Sequence, residues 1–228
     1  SIPSATCAAR RCGYDSTPMS ASGSVGVGVP AGNTFDKYGS TSPVVRRLMA
    51  GFARSLDELL TQAAPGSLLD VGCGEGVLTE RFAARLAPGD VVGVDLENPG
   101  LRAHWAEREP RHENLRFTVM AAEHLWFADG TCELVCATEV LEHLADPDAA
   151  LREMSRVSAG WLLASVPSEP LWRILNLARG AYVATLGNTP GHLQHWSPAS
   201  FARLLADHGE VVAVRHPTPW TMALVRVA

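Results

Sequence analysis

The chain has 228 residues, of which 46% are hydrophobic and 19% charged, a balance that supports one folded domain with a substantial core. Its net charge of -5 argues against a broad nucleic-acid footprint, although a local basic patch is compatible with that total. Five cysteines, Cys7, Cys12, Cys73, Cys132 and Cys136, form an odd set without framework spacing and point to a reducing cytoplasm, with Cys132 and Cys136 as core filler.

Residues 1–33 are rich in Ser, Gly, Ala and Pro, show no periodicity, and read as a disordered tail ahead of a domain at 34–228. Arg10 and Arg11 have no apolar stretch after them, so a signal peptide is not expected; Ser1 is no initiator, and Met19 offers a start. The uncharged run at 16–35 is Gly/Ser-rich rather than apolar, and no membrane span is expected. Ser42 and Pro43 then open a helix as N-cap and first residue, with Val45, Leu48, Met49, Phe52, Leu56, Leu59 and Leu60 on one face. Pro65 and Gly66 end it.

The run LLDVGCGEG at 68–76 reads as a buried strand that turns through glycines into a helix at 76–86, where Leu78, Phe82 and Leu86 recur at helical spacing. Ligands of open α/β sheets sit at this edge. A turn of this kind serves dinucleotides, phosphates or S-adenosylmethionine, or binds nothing. The GxGxG spacing lacks the third glycine of a dinucleotide fingerprint, and Glu75 would repel a phosphate at the helix N-terminus. A second apolar strand at 90–95 ends in Asp95, at the distance where a βαβ unit sets a carboxylate on a cofactor ribose; a cap or loop acid is the plainer role.

Further strands are expected at 115–119, 133–138, 160–166, 210–215 and 220–227, and helices near 99–108 and at 147–157, 169–184 and 198–208. Asp146-Pro147, Ser168-Glu169-Pro170 and Ser197-Pro198 each supply a capping residue with proline in the first turn. The last two strands are joined by a short link containing Pro217 and Pro219, which forbids a helical crossover and makes them antiparallel. The pattern is a doubly wound, Rossmann-like α/β fold: a seven-stranded sheet with an antiparallel carboxyl-terminal hairpin.

LLDVGCGEG at 68–76, VVGVDL at 91–96, AAEHLWFADGTCELVCATEVLEHL at 121–144 and VP at 166–167 occur in one order over nearly all of 67–167. In this the chain resembles class I S-adenosylmethionine-dependent methyltransferases. The resemblance implies S-adenosylmethionine as cofactor. It also implies that Asp70 and the backbone of Gly72, Cys73 and Gly74 hold the methionine end, that Asp95 takes the ribose hydroxyls, and that Leu96 lies against adenine. Ala122 and Glu123 would line the adenine edge, and Thr138 would lie beside the methyl group. Many relatives carry an acid where this chain has Ala121. Phe35, Tyr38 and Gly39 precede a helix that closes the cofactor site in the family, and serve there either as ligand contacts or as a staple onto the core.

Methyl transfer needs alignment and a base where the nucleophile carries a proton. His143, in an EVLEH segment similar to that of ubiquinone-pathway and other small-molecule O-methyltransferases, is the candidate catalytic base; bonding within its loop is its plainer role. Glu139, Glu142 and His143 also resemble the ExxEH metal cluster of small-RNA 2′-O-methyltransferases, which would take His192 or His195 as a further ligand, although no residue is assigned to a metal. Residues 167–209 exceed a simple βα link and carry Trp172, Tyr182, His192, His195 and Trp196, so they are expected to cover the substrate. His195 and Trp196 frame the acceptor, with Trp196 as an apolar wall, or Trp196 is instead the staple for Phe201 and Leu204. Leu171, Ile174, Leu175, Ala178 and Tyr182 read as a core-facing stripe, with Arg173 and Arg179 solvated or drawing an anionic acceptor. The expected activity is transfer of a methyl group to a small organic acceptor at oxygen. Metal-assisted RNA 2′-O-methylation and cofactor binding without turnover are the alternatives; oligomeric state is not legible.

Overall fold

The computed structural model describes residues 41–227; the expected tail, with Cys7 and Cys12, and Phe35, Tyr38 and Gly39 lie outside them. The helices are α1 (Pro43–Ala63), α2 (Val77–Leu86), α3 (Pro99–Arg108), α4 (Pro147–Val157), α5 (Leu171–Ala178) and α6 (Pro198–Ala206). The strands are β1 (Ser67–Val71), β2 (Asp90–Asp95), β3 (Leu115–Val119), β4 (Cys132–Thr138), β5 (Ser158–Pro167), β6 (Glu210–Arg215) and β7 (Trp220–Arg226). They form one sheet in the order β3-β2-β1-β4-β5-β7-β6. The first five strands run parallel, while β7 is antiparallel to both β5 and β6. This is the expected doubly wound sheet with its terminal hairpin.

Both faces of the sheet are covered, which is why its strands read as continuous apolar runs rather than as alternations. On one face Leu69, Val135 and Leu162 pack with Leu151 and Met154 of α4 and Phe201 and Leu205 of α6. On the other, Leu68, Leu134 and Leu224 meet Phe52, Leu56 and Leu59 of α1 and Phe82 of α2. Cys132 and Cys136 are fully buried free thiols, one in each cluster, as core filler should be.

The caps follow the sequence in part. Asp146 accepts from the Ala149 amide at 2.9 Å, and Ser197 accepts from Ser200 at 3.2 Å. Trp196, just before that cap, packs its ring 5.9 Å from Phe201, which makes it the staple rather than a wall of the acceptor site. Ser42 holds the N-cap position of α1 without a side-chain cap bond. At Ser168-Glu169-Pro170 the serine does not cap: α5 starts after Pro170, the Ser168 hydroxyl meets Thr221 Oγ1 of β7 at 2.5 Å, and the Glu169 carboxylate accepts from the Arg173 amide at 3.4 Å. Among the described residues no helix is long and apolar enough to cross a membrane.

Candidate active site

The carboxyl ends of β1, β2 and β4 open into a cavity of about 690 Å³ that continues under α1 and the segment 171–193. Its inner end gathers every residue expected at the cofactor: Asp70, Gly72, Cys73, Gly74, Asp95, Leu96, Ala122, Glu123 and Thr138. Its outer end holds His143 with Trp172, Tyr182 and His192. His195 bonds to Asn188 Oδ1 at 2.7 Å, is exposed, and is not among the lining residues, so the structure does not bring it to the site.

The glycine turn is held from two sides. Gly72 (φ 71°) is required both by its backbone and by space, since a Cβ there would lie 2.4 Å from Val140 Cγ2. Gly74 (φ 53°) has nothing among the described residues within 4 Å of the same position, and it lines the cavity. Its N–H donates to Asp95 Oδ2 at 2.7 Å, and the Leu96 N–H donates to Oδ1 at 2.7 Å, which fixes the Asp95 carboxylate at the end of β2. Burial raises the Asp95 pKa, and those two amides oppose the rise.

Asp70 is the buried acid of the site. Its Oδ2 accepts from Thr79 Oγ1 at 2.7 Å, while its Oδ1 is buried without a hydrogen-bond partner among the described residues. Burial pushes its carboxyl up to about 7, against the Thr79 hydroxyl, with the Asp95 charge adding to the rise. A buried oxygen of this kind calls for a donor, and an ammonium group supplies both the hydrogen bond and the charge. The residues present therefore fit the expected cofactor: Asp70 would hold its amino-acid ammonium, Asp95 its ribose, and Leu96 with the 120–123 turn its adenine. Cys73 faces this end too, with a thiol that burial pushes well up and keeps protonated.

His143 ends a 3-10 turn (Leu141–His143) after β4. Its Nδ1 lies 3.0 Å from the Gly191 carbonyl oxygen, which can only accept, so Nδ1 carries the hydrogen and the neutral ring has its lone pair on Nε2. The Glu142 carbonyl accepts from the Leu193 and Gln194 amides at 2.8 and 3.0 Å, sewing this loop to the far segment. The His192 ring stands edge-on to His143 at 4.9 Å and stacks on Trp172 at 6.0 Å. Ligand atoms of Glu142, His143 and His192 lie within 4.8 Å of one another, a donor set suited to a divalent cation. Glu139 belongs elsewhere. At φ 60° it turns away from those three side chains, while still lining the cavity, and accepts from Trp220 Nε1 at 2.6 Å and from the Ser165 hydroxyl at 3.2 Å.

The expected helix at 169–184 is shorter and turned around. Gly180 (φ 71°) stops it: the Gly180 N–H donates to the Leu177 carbonyl and that of Ala181 to Asn176, the paired bonds of a glycine C-terminal cap. Tyr182 thus lies beyond the helix. The anticipated apolar stripe does not face the core, because Leu171 and Ile174 are 38% and 56% exposed. The buried residue is Asn176, which donates to the Gly187 carbonyl at 2.8 Å, while Trp172 Nε1 donates to Thr189 Oγ1 at 2.9 Å. Polar anchors hold this helix, and Trp172, Leu175, Asn176 and Arg179 make up its cavity face.

Three supports escaped sequence reading. Trp105 Nε1 donates to the Gly74 carbonyl at 2.8 Å and its ring stacks on Phe117 at 5.5 Å. Arg108 Nε donates to the Glu75 carbonyl at 2.8 Å, and the same guanidinium pairs with Glu80. Trp220 leads β7 into the cavity floor against Phe52 at 5.1 Å. A lone tryptophan at a strand start was the one signal for the last; the others sit on α3, whose Asn98 cap, bonded to the Gly100 amide at 2.8 Å, was also missed.

Comparison with known proteins fits this geometry. A family model described as a methyltransferase domain matches residues 45–213. A ubiquinone biosynthesis O-methyltransferase of Nitrosomonas europaea is 30% identical over 158 residues, covering 61% of this chain and 65% of that protein. A norajmaline N-methyltransferase of Rauvolfia serpentina is 30% identical over 129 residues, 52% of this chain and 44% of that one. This chain thus spans less than two thirds of the length of these curated relatives. The crystal structure of an S-adenosylmethionine-dependent methyltransferase from Aquifex aeolicus superposes with a TM-score of 0.64 at 16% identity, over 82% of this chain and 94% of that one, which supports the fold. With the donor site complete in its expected residues and the domain model covering most of the sequence, the chain belongs to the class I S-adenosylmethionine-dependent methyltransferase family.

Proposed function

We propose that this protein moves a methyl group from S-adenosylmethionine to an oxygen of a small organic acceptor, and that residues 167–209 cover that acceptor. The observation that carries the reading is the continuous cavity from Asp70 and Asp95 to His143, whose Nδ1 is committed to Gly191. His143 Nε2 then takes the acceptor's hydroxyl proton as the oxygen attacks the methyl carbon and the sulfonium leaves as a thioether. Apolar walls from Leu48, Met49 and Leu175 favour a ring or chain over a free amino acid. The similarity to a ubiquinone biosynthesis O-methyltransferase supports oxygen, while the N-methyltransferase relative names the competing atom. A cytoplasmic setting accords with Cys73, Cys132 and Cys136, all free thiols.

The test is incubation with methyl-labelled S-adenosylmethionine and a panel of phenols, catechols and amines, with mass spectrometry of the products. O-methyl products are expected; label on amines alone would overturn oxygen, and cofactor binding without any transfer would favour a non-catalytic binder.

A second reading rests on the juxtaposition of Glu142, His143 and His192. Those three side chains would hold a divalent cation, which acidifies a bound hydroxyl when present. Activity unchanged after exhaustive chelation rejects it.

A further inference from the structure

Among the described residues that line the cavity, Asp70, Glu75, Asp95, Glu123, Glu139 and Glu142 are acidic, and Arg179 alone is a lysine or arginine. The acids suit a sulfonium donor and its ammonium. They repel an anionic acceptor everywhere except at Arg179. Arg179 makes no side-chain hydrogen bond or ion pair among the described residues, although its backbone is fixed: its N–H caps α5 at the Leu175 carbonyl, 3.2 Å away, and Gly180 turns the chain directly after it. An exposed guanidinium, unpaired among the described residues and set on a fixed backbone at the wall of a cavity whose other charged side chains are acidic, is a fork for carboxylate or phosphate oxygens.

The helix also sets a distance. Trp172, Asn176 and Arg179 share one face, and the rise of an α-helix puts the Arg179 Cα about 10 Å along the axis from that of Trp172. Trp172 stacks on His192, which touches His143, so the Trp172 end is the reacting end. Leu175 lies between. We propose that the acceptor is an amphiphilic acid, with its nucleophilic oxygen at His143, an apolar span along Leu175, and a carboxylate or phosphate received by Arg179. This specificity reading rests on the assignment of residues 171–193 as the acceptor wall.

The probes are catechols carrying an alkyl chain of increasing length that ends in a carboxylate, a phosphate monoester or a primary amide. Each is titrated by calorimetry into protein saturated with S-adenosylhomocysteine. At the best-fitting length the carboxylate or the phosphate is expected to bind about tenfold more tightly than the amide, equivalent to about 1.4 kcal/mol. The tighter of the two identifies the anion. Arg179→Gln should erase the preference and Arg179→Lys should keep part of it, both with unchanged melting temperature because the native side chain has no partner among the described residues to lose. Equal binding of anion and amide, or a preference that survives in Arg179→Gln, overturns the proposal. An anion bound through Arg179 but never methylated at oxygen leaves it standing and removes the oxygen reading. Equal methylation and equal binding of anion and amide do the reverse, and failure of every probe to bind counts against both.

Discussion

The two ends of the cavity are built differently. The donor end is drawn from consecutive short stretches, 68–76 and 90–96, and its central bonds join neighbours in the βαβ unit: Gly74 to Asp95 and Thr79 to Asp70. The acceptor end is assembled across the chain. His143 is fixed by Gly191, forty-eight positions away, and Glu139 by Trp220, eighty-one positions away. A local motif can be rigid before the rest of the chain folds around it, whereas the acceptor end exists only once β4, β7 and the 171–193 segment have met. Cofactor binding and acceptor recognition should therefore be separable by mutation.

Gly72 is where the two ends touch, and its replacement is the harshest break. Gly72→Ala forces a side chain onto Val140 at a left-handed backbone position and should cost about 3 kcal/mol of stability by chemical denaturation, with loss of both ligands. Asp95→Ala acts on the donor end alone. With Asp95 as the proposed ribose ligand, its loss should weaken S-adenosylmethionine about a hundredfold by calorimetry, leaving acceptor affinity unchanged.

Asp70 sets a pH dependence on the same end. Its carboxyl holds a proton up to about 7 in the empty protein, against 3.8 for the ordinary group. The cofactor ammonium needs the carboxylate, so affinity should fall roughly tenfold between pH 8 and pH 6, with proton release on binding above background. For folding the sign is opposite. The folded state binds the extra proton between about pH 4 and 7, so this group lowers stability as pH rises through that window. Asp70→Asn should melt higher than the parent at pH 8 while binding the cofactor worse; a lower melting temperature would contradict the burial penalty. The smallest effect belongs to Trp220→Phe, which removes the donor to Glu139 and should cost about 1 kcal/mol, read as a raised acceptor KM with cofactor affinity intact.

The same contrast explains what was legible in the sequence. Strands buried on both faces read as apolar runs, and Asp70 and Asp95 stand out at their ends because nothing else polar is there. Asp146, Ser197 and the short Pro217–Pro219 link carry their own local chemistry. α5 was misread because it inverts the usual rule: Asn176 and Trp172 anchor it through hydrogen bonds to Gly187 and Thr189, leaving leucines outward, and hydrophobic periodicity registers only apolar burial. Glu139 is grouped with Glu142 and His143 by the resemblance to an ExxEH cluster. Its left-handed backbone, invisible in sequence, points it to Trp220 instead.

The separation of the two ends is tested most directly by His143→Ala, with S-adenosylmethionine affinity from calorimetry and the methyl-transfer rate from single turnovers on a catechol acceptor. The cofactor Kd should stay within about twofold of the parent while the transfer rate falls at least about a hundredfold. A rate that is unchanged, or a Kd that rises in step with the loss of rate, would contradict it.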